Sequence, residues 1–469
     1  EAVTNTAIAN GAASVVNRKD NALSEYLSAV YNYNDLYILN VNGRVDASNR
    51  FGQNKNHRFE PTWSTGIKWR VANEPFIQKL NWLNNLDLYA SFGYQGNAVT
   101  SVSPYLIAYD GGLDNRYNEY VLNIKSLPYP SLGWEKTKTY NIGLDGALFG
   151  GRFNFTVNYF KKISDVLSSR NIPYENGIAN GVVSGSTMEN HGYDFVIDVV
   201  PIRTKDFTWQ LSVNTAVSRN KIEKNDRVNT LNDYLDGSAI VNGRPYSTFY
   251  SYKFAGLNPE NGLPMFDNMD LEHGKSPMGY LIESGKFTPD FSGGLNTMFK
   301  YKNFAFYALF SIQWGGHARL PKLYSATDTE SGLPRPEQNV SNKLNNRWKK
   351  PGDEIHTDIP SLPGAGNEFI NLPETATTQT TRTNLYHMYN LSDVRTARTD
   401  FIRCRSISMS YEFNNGQWMD KLFLKRLQVK ASMSNPFVWA FDKKWDGLDP
   451  ETGSWPARKV ISISLQAAF

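Results

Sequence analysis

Gly447-Leu448-Asp449-Pro450-Glu451-Thr452-Gly453 and Gly256-Leu257-Asn258-Pro259-Glu260-Asn261-Gly262 are one pattern used twice, with oxygen-bearing side chains two residues apart. Oxygens at alternate positions of a tight loop can hold calcium, so the acidic copy raises the question of a cation site. It lacks the full ligand spacing of a known calcium loop. Proline and glycine at these offsets make β-turns, which is the simpler reading of both copies.

Other chemistry has less support. Cys404 is the only cysteine, which excludes an internal disulfide and argues against a thiolate metal site. It reads as a small residue within a strand. The six histidines are scattered without metal-ligand spacing. Serine, histidine and aspartate are plentiful, but none sits in a nucleophile-elbow context, so the chain does not read as an enzyme and implies no cofactor. A net charge of +4 without a dense basic run gives no support for nucleic-acid binding. What remains is a stretch that mixes flat rings with hydrogen-bonding groups: Tyr105, Tyr109, Asp110, Asn115, Arg116 and Tyr117. Such a mixture suits a sugar, a peptide or a partner protein, and for any single residue ordinary loop structure is the plainer reading.

The elements that must carry these residues are strands. In the last ten residues, Ile461, Ile463, Leu465, Ala467 and Phe469 alternate with Ser462, Ser464, Gln466 and Ala468. Side chains alternate across a strand, so this segment has one apolar and one largely polar face. The same period-two pattern recurs along the chain. It runs through Leu27 to Tyr33, about Leu36 to Asp46, about Phe59 to Val71, Leu86 to Gln95 and Glu135 to Leu148. Phe153 to Tyr159, Tyr193 to Val200, Trp209 to Val217, Phe291 to Tyr301 and Phe304 to Trp314 follow. Two further runs, around Ile407 and Val429, precede the terminal strand, and the total is about thirteen.

No apolar run approaches the roughly 18–20 residues of a membrane-spanning helix. Aromatic residues nevertheless make up 13% of a chain whose mean hydropathy is −0.48. A lipid-facing side, a watery interior and aromatic belts would produce that pairing; so would a soluble carbohydrate-binding β protein. The connections discriminate between them. Short links alternate with long ones at about 47–58, 96–134, 167–186, 221–290, 315–402 and 435–459. Outer-membrane barrels keep short turns at one end and long loops at the other, whereas a loop of the 315–402 size is odd inside a compact soluble domain.

The expected fold is therefore all-β, an antiparallel transmembrane barrel. An odd strand count leaves two parallel ends, which cannot close an antiparallel barrel. A bare edge in lipid strands several N–H and C=O groups, roughly tens of kcal/mol in sum. That exceeds the about 5–15 kcal/mol that holds a typical domain. The barrel is thus expected to be incomplete here, with residues 1–22 an external or cleaved end and 23–469 the wall. Glu1-Ala2-Val3-Thr4-Asn5 does not resemble a leader peptide, so a leader was removed or the gene product begins upstream.

Several stretches, in order along the chain, resemble the carboxyl-terminal barrel of SusC-type TonB-dependent transporters of the Bacteroidetes. Val41 to Gly52 resembles that family's strand-and-loop segment, although Val45-Asp46-Ala47 replaces the usual Asp-Gly. Leu88 to Asn97, Trp134 to Asp145, Gly243 to Pro259, Pro289 to Gly294 and Arg347 to Asp353 follow, and then the terminal strand. Asn258 stands where the family more often has aspartate. The resemblance implies about thirteen strands of a larger, 22-stranded barrel, with the plug domain and remaining strands on another chain or missing. It implies TonB-dependent import of an oligosaccharide or peptide, a SusD-like surface lipoprotein as lid, and energy from the TonB complex through the absent part. It also implies that the terminal strand, with Ile461, Ile463, Leu465 and Phe469, is an assembly signal in the lipid of the outer membrane. The loop residues Tyr105 to Tyr117 become candidates for cargo or lid contact. A passive porin, a surface adhesin or a soluble carbohydrate-binding protein are the alternatives.

Overall fold

The computed structural model describes residues 21–49, 51, 59–99, 102–172, 180–269, 277–327, 332–364, 368–372, 382–414 and 416–469. Most of the expected end segment 1–22, and Arg50 and Gly52 of the first family-like stretch, lie outside the described residues. The alternating segments become thirteen wall strands. They are β1 (Ala22–Tyr33), β2 (Tyr37–Ser48), β3 (Phe59–Arg70), β4 (Leu83–Asn97), β5 (Glu135–Leu148), β6 (Phe153–Asn171) and β7 (Asn180–Arg203). β8 (Phe207–Lys224), β9 (Phe291–Tyr301), β10 (Phe304–Trp314), β11 (Phe401–Phe413), β12 (Arg426–Ala440) and β13 (Val460–Ala468) complete them. They join in chain order into one sheet, each antiparallel to its neighbour. β1 and β13 do not pair, so the sheet is open at two edges, consistent with an incomplete barrel.

Register turns the alternation of each strand into two continuous faces. Leu465, Val429, Tyr411, Phe304, Tyr301 and Phe207 are successive partners across β13, β12, β11, β10, β9 and β8. One residue away, on the opposite face, Ser464, Lys430, Ser410, Ala305, Lys300 and Thr208 follow one another. A one-residue slip anywhere would swap lipid-facing and water-facing sets, so the pattern pins the pairing. On the apolar face Ile461, Ile463 and Leu465 are 73%, 74% and 70% exposed, and the polar face of β13 is exposed too, because this strand is an open edge of the sheet. Cys404 is completely buried in β11, paired with Phe310 on one side and Phe437 on the other.

The short links all fall at one end. β1 and β2 are joined through Asn34 and Asp35, both at positive φ (52° and 56°), the geometry of a tight hairpin that suits the twist of its strands. Gly150 and Gly151, at φ 70° and 76°, turn β5 into β6, where a Cβ would be strained. One expected loop needs correction: 167–186 is mostly strand, because β6 runs to Asn171 and β7 begins at Asn180. A strand of about 9–11 residues spans the hydrocarbon, so the 24-residue β7 projects well beyond it. Outside lipid both faces are wet, so Ser, Thr, Asn and Gly occupy both and the period-two signal disappears from the sequence. β8 extends past its expected end for the same reason, whereas β12 gains the apolar stretch 437–440 beyond Pro436, where a register irregularity opposite Cys404 and Ser406 interrupts the alternation.

Candidate functional site

The long connections gather at the other end, where they build most of the molecule's apolar core. Residues 225–290, between β8 and β9, interlock with 315–400, between β10 and β11. Tyr250, Tyr252, Tyr280 and Leu281 of the first pack with Leu372 and Met388 of the second. Leu323, Tyr324, Tyr386 and Tyr389 form a second cluster, with Phe254, Leu263 and Phe266 against it. Local signals shape the pieces. Thr230 and Asp233 form a reciprocal capping box on the helix Leu231–Asp236, which Gly237 ends at φ 79°. Asn384 caps Leu385–Asn390 by accepting from the N–H groups of Tyr386 and His387 at 2.8 and 3.2 Å.

Two cations tie this external body together. The Arg319 guanidinium donates to the carbonyls of Leu235 (2.8 Å), Tyr250 (2.5 Å) and Leu391 (2.9 Å) and to Ser251 Oγ (3.0 Å). Burial lowers its pKa to about 10, so it stays charged at neutral pH. Arg395 donates to Pro321 O at 2.5 Å. Burial also pushes the Tyr250, Tyr280 and Tyr386 phenols up to about 12. They are neutral packing groups, without a proton to exchange near neutrality.

The repeated turn motif resolves in two ways. In the first copy, Asn258 Oδ1 accepts from Glu260 N and Asn261 Oδ1 from Leu263 N, at 2.8 and 3.0 Å. Gly262, at φ 70°, lies so close to the Trp348 ring that a Cβ would sit 2.3 Å from it. The end of the turn that follows one family-like stretch thus meets another, Arg347 to Asp353, in space. In the second copy, the Asp449 carboxylate is buried and taken by Arg403, at 2.5 and 2.6 Å. Glu451 engages Arg405 at 2.9 Å and Arg403 at 3.0 Å. The acidic pair raised as a calcium candidate instead anchors the third long connection to two arginines of β11. The motif did not reveal those partners, which lie more than forty residues away.

The ring-and-amide stretch of 96–134 forms a separate hairpin, Ile107–Asp114 with Glu119–Ser126. Tyr105, Tyr109 and Tyr117 are 49%, 56% and 74% exposed. They do not converge into one pocket. Tyr109 and Asp110 are consecutive strand residues and so face opposite ways, while Asn115, Arg116 and Tyr117 lie at the tip. Asp110 accepts from Gly112 N and Asp114 from Arg116 N, both at 2.8 Å, so part of this polarity shapes turns. Tyr120 and Leu122, 81% and 72% exposed, extend the apolar surface and were missing from the sequence-based set. Their alternation in Glu119–Ser126 was the available signal.

The polar face of the wall carries hydroxyls, amides and paired charges. Asn42 links Ser28 and Ser64 across three strands, at 2.6 and 3.3 Å. Asn141 donates to Ser91 at 3.1 Å, Thr156 to Asp145 at 2.8 Å, and Lys68 lies 3.3 Å from Asp87. Such a surface can wet a passage and hydrogen-bond a polar solute. Among the described residues there is no cluster of three or more His, Cys, Asp or Glu side chains suited to a metal.

This architecture has relatives. The family described as TonB dependent receptor-like, beta-barrel, matches residues 2–314. TonB-dependent receptor P39 of Formosa agariphila is 26% identical over 95% of this chain and 46% of its own length. TonB-dependent receptor SusC of Bacteroides thetaiotaomicron is 28% identical over 96% of this chain and 44% of its own. The chain thus spans about half the length of these relatives. The RagAB peptide importer in its open-open state shares the fold, with a TM-score of 0.74 over 96% of this chain and 47% of that one, at 21% identity. That family is one of outer-membrane receptors and transporters, and this chain belongs to it as a TonB-dependent receptor β-barrel.

Proposed function

We propose that this chain forms wall, lumen face and external loops of a TonB-dependent importer of an oligosaccharide or peptide, working with a SusD-like surface lipoprotein. The observation that carries this reading is the asymmetry of the fold. Thirteen strands present a hydrogen-bonding face to one side, and the long connections between them collect at one rim into a packed body. A passive pore has no need of a body of this size. SusC-type and RagAB relatives support a lipoprotein lid and a polymeric nutrient. The remaining strands, a plug and the contact with TonB would belong to the part of the protein outside this chain, in a barrel of about 22 strands.

The test is uptake. A strain lacking the whole gene should lose TonB-dependent import of one class, a defined oligosaccharide or a peptide mixture, and a protonophore should abolish it in the parent. A lipoprotein should be recovered with the tagged full-length protein. Import that persists without proton-motive force would overturn energised transport in favour of a pore. The terminal strand has its own test: Phe469→Asp should lower the amount of folded barrel in the outer membrane. An unchanged yield would remove Ile461, Ile463, Leu465 and Phe469 as an assembly signal.

A further inference from the structure

Above the aromatic band, the lipid-facing side of β5 to β8 changes character abruptly. Tyr159 and Tyr193 are cross-strand partners with ring centroids 5.0 Å apart. They lie on the same face as Phe155 and Val157, and such rings settle at the membrane interface. Two residues further along the same face, the partners become Tyr140, Lys161, His191 and Arg219 on β5, β6, β7 and β8. The next row is Lys138, Ile163, Glu189 and Lys221. This is the end that carries the long connections, so the cations meet the outer leaflet.

The internal partners do not balance this charge. Glu189 lies 2.9 Å from Lys161 and 3.2 Å from His191 Nδ1, and Glu223 lies 2.9 Å from Lys221. Arg219 is exposed and has no ion pair among the described residues. Lys138 has none either, and its Nζ lies 6.0 Å above the Tyr94 ring. Like charges on neighbouring strands repel, and charges facing lipid are costly unless they reach the interface or an anion. The rim is not uniformly basic: the Lys138 row continues across β4, β3, β2 and β1 as Tyr94, Trp63, Gly43 and Leu27. The cationic rows are therefore a local feature.

We propose that Lys138, Lys161, Arg219 and Lys221, with His191 beside them, form a docking site for the phosphorylated headgroup of an outer-leaflet glycolipid. The arrangement matches such a molecule in two parts. Acyl chains lie along the apolar stripe below Tyr159 and Tyr193, and phosphate oxygens meet ammonium and guanidinium groups directly above. Arg219 supplies a planar donor fork suited to phosphate. The rings at the boundary present faces to the sugar. A free phosphate would use only the upper half of this surface, and the apolar half commits the site to a lipid.

The proposal rests on the outer-membrane placement, and the test keeps the two apart. Full-length protein in detergent is mixed with bis-phosphorylated lipid A, dephosphorylated lipid A, phosphatidylglycerol or inorganic phosphate, and adducts are counted by native mass spectrometry. Wild type should hold bis-phosphorylated lipid A best. The triple variant K161Q/R219Q/K221Q should lose it by about a hundredfold, taking roughly a fivefold loss per basic residue. R219Q alone breaks no ion pair among the described residues, so it keeps the fold and should lose about fivefold. Equal retention by folded R219Q and wild type, or equal binding of the dephosphorylated lipid or of phosphatidylglycerol, would overturn the site. A wild type that fractionates with the outer membrane while failing this test overturns the lipid site alone. A wild type recovered in the aqueous fraction overturns the placement as well.

Discussion

The wall and the external body solve the same burial problem in opposite directions. In the wall, Ile67, Ile142 and Met409 on the apolar face of inner strands are 53%, 56% and 49% exposed on the protein's own surface, because lipid takes the place of a core. Its internal order comes from the antiparallel ladder, which must satisfy every backbone group in hydrocarbon. In the external body the rule is that of a water-soluble domain. Phe249, Tyr250, Tyr324, Tyr386 and Met388 are essentially inaccessible, and the buried guanidinium groups of Arg319 and Arg395 donate to backbone carbonyls. A single chain can use both rules because the rim of the barrel separates the two solvents.

That contrast can be broken most sharply at Arg319. Arg319→Leu would remove the guanidinium from the buried carbonyls of Leu235 and Tyr250, at about 1–3 kcal/mol each, while the Leu391 carbonyl keeps the Tyr252 N–H. The external body should open to protease on intact outer-membrane vesicles, while the wall keeps its heat-modifiable gel mobility. Simultaneous loss of both would show that the two regions are not independent. A smaller effect is expected at β11, where two neighbouring arginines meet the same loop. Arg403→Ala leaves Asp449 buried and unpaired, a loss of about 3–5 kcal/mol, whereas Arg405, half-exposed beside Glu451, is worth no more than about 1 kcal/mol. Cleavage within 441–459 should therefore accelerate strongly in the first variant and hardly in the second.

A pH effect follows at the base of the body. Burial, aided by Arg398, holds the His317 pKa below its ordinary value of 6.5. The unfolded chain then takes up this proton before the folded one does. The contribution is complete above pH 6.5 and declines as pH falls from there toward the depressed folded value. His317→Gln should flatten that part of the pH profile of protease resistance. The smallest effect on stability is expected at the hairpin tip, where Tyr117→Ala should stay within about 0.5 kcal/mol. Any change in cargo capture by that variant would then report contact and not folding.

Much of the wall was legible residue by residue. Alternation in Phe153 to Tyr159 located a strand, and Gly150-Gly151 located its turn, because both signals are local. The upper halves of β6 and β7 were not legible, since a ladder in water needs no apolar face. The external body was least legible. Phe254 N–H finds Asp393 across 139 residues, and Arg319 reaches Tyr250 across 69. No spacing in the sequence announces pairs held together only by the packing around them. The turn motif at Gly447–Gly453 lies between these cases: its shape was readable, and its arginine partners were not.

What the amino-acid sequence determined by itself was the membrane-facing sheet. A period of two, terminated by glycine, asparagine and proline, dictates strands, faces and register through contacts between near neighbours. Tertiary structure decided the rest. It made the acidic turn an anchor for Arg403, divided the candidate residues Tyr109 and Asp110 between two faces of a hairpin, and collected the cations of β5 to β8 into adjacent rows. These outcomes depend on which distant strands become neighbours, and cross-strand distance has no counterpart in chain position.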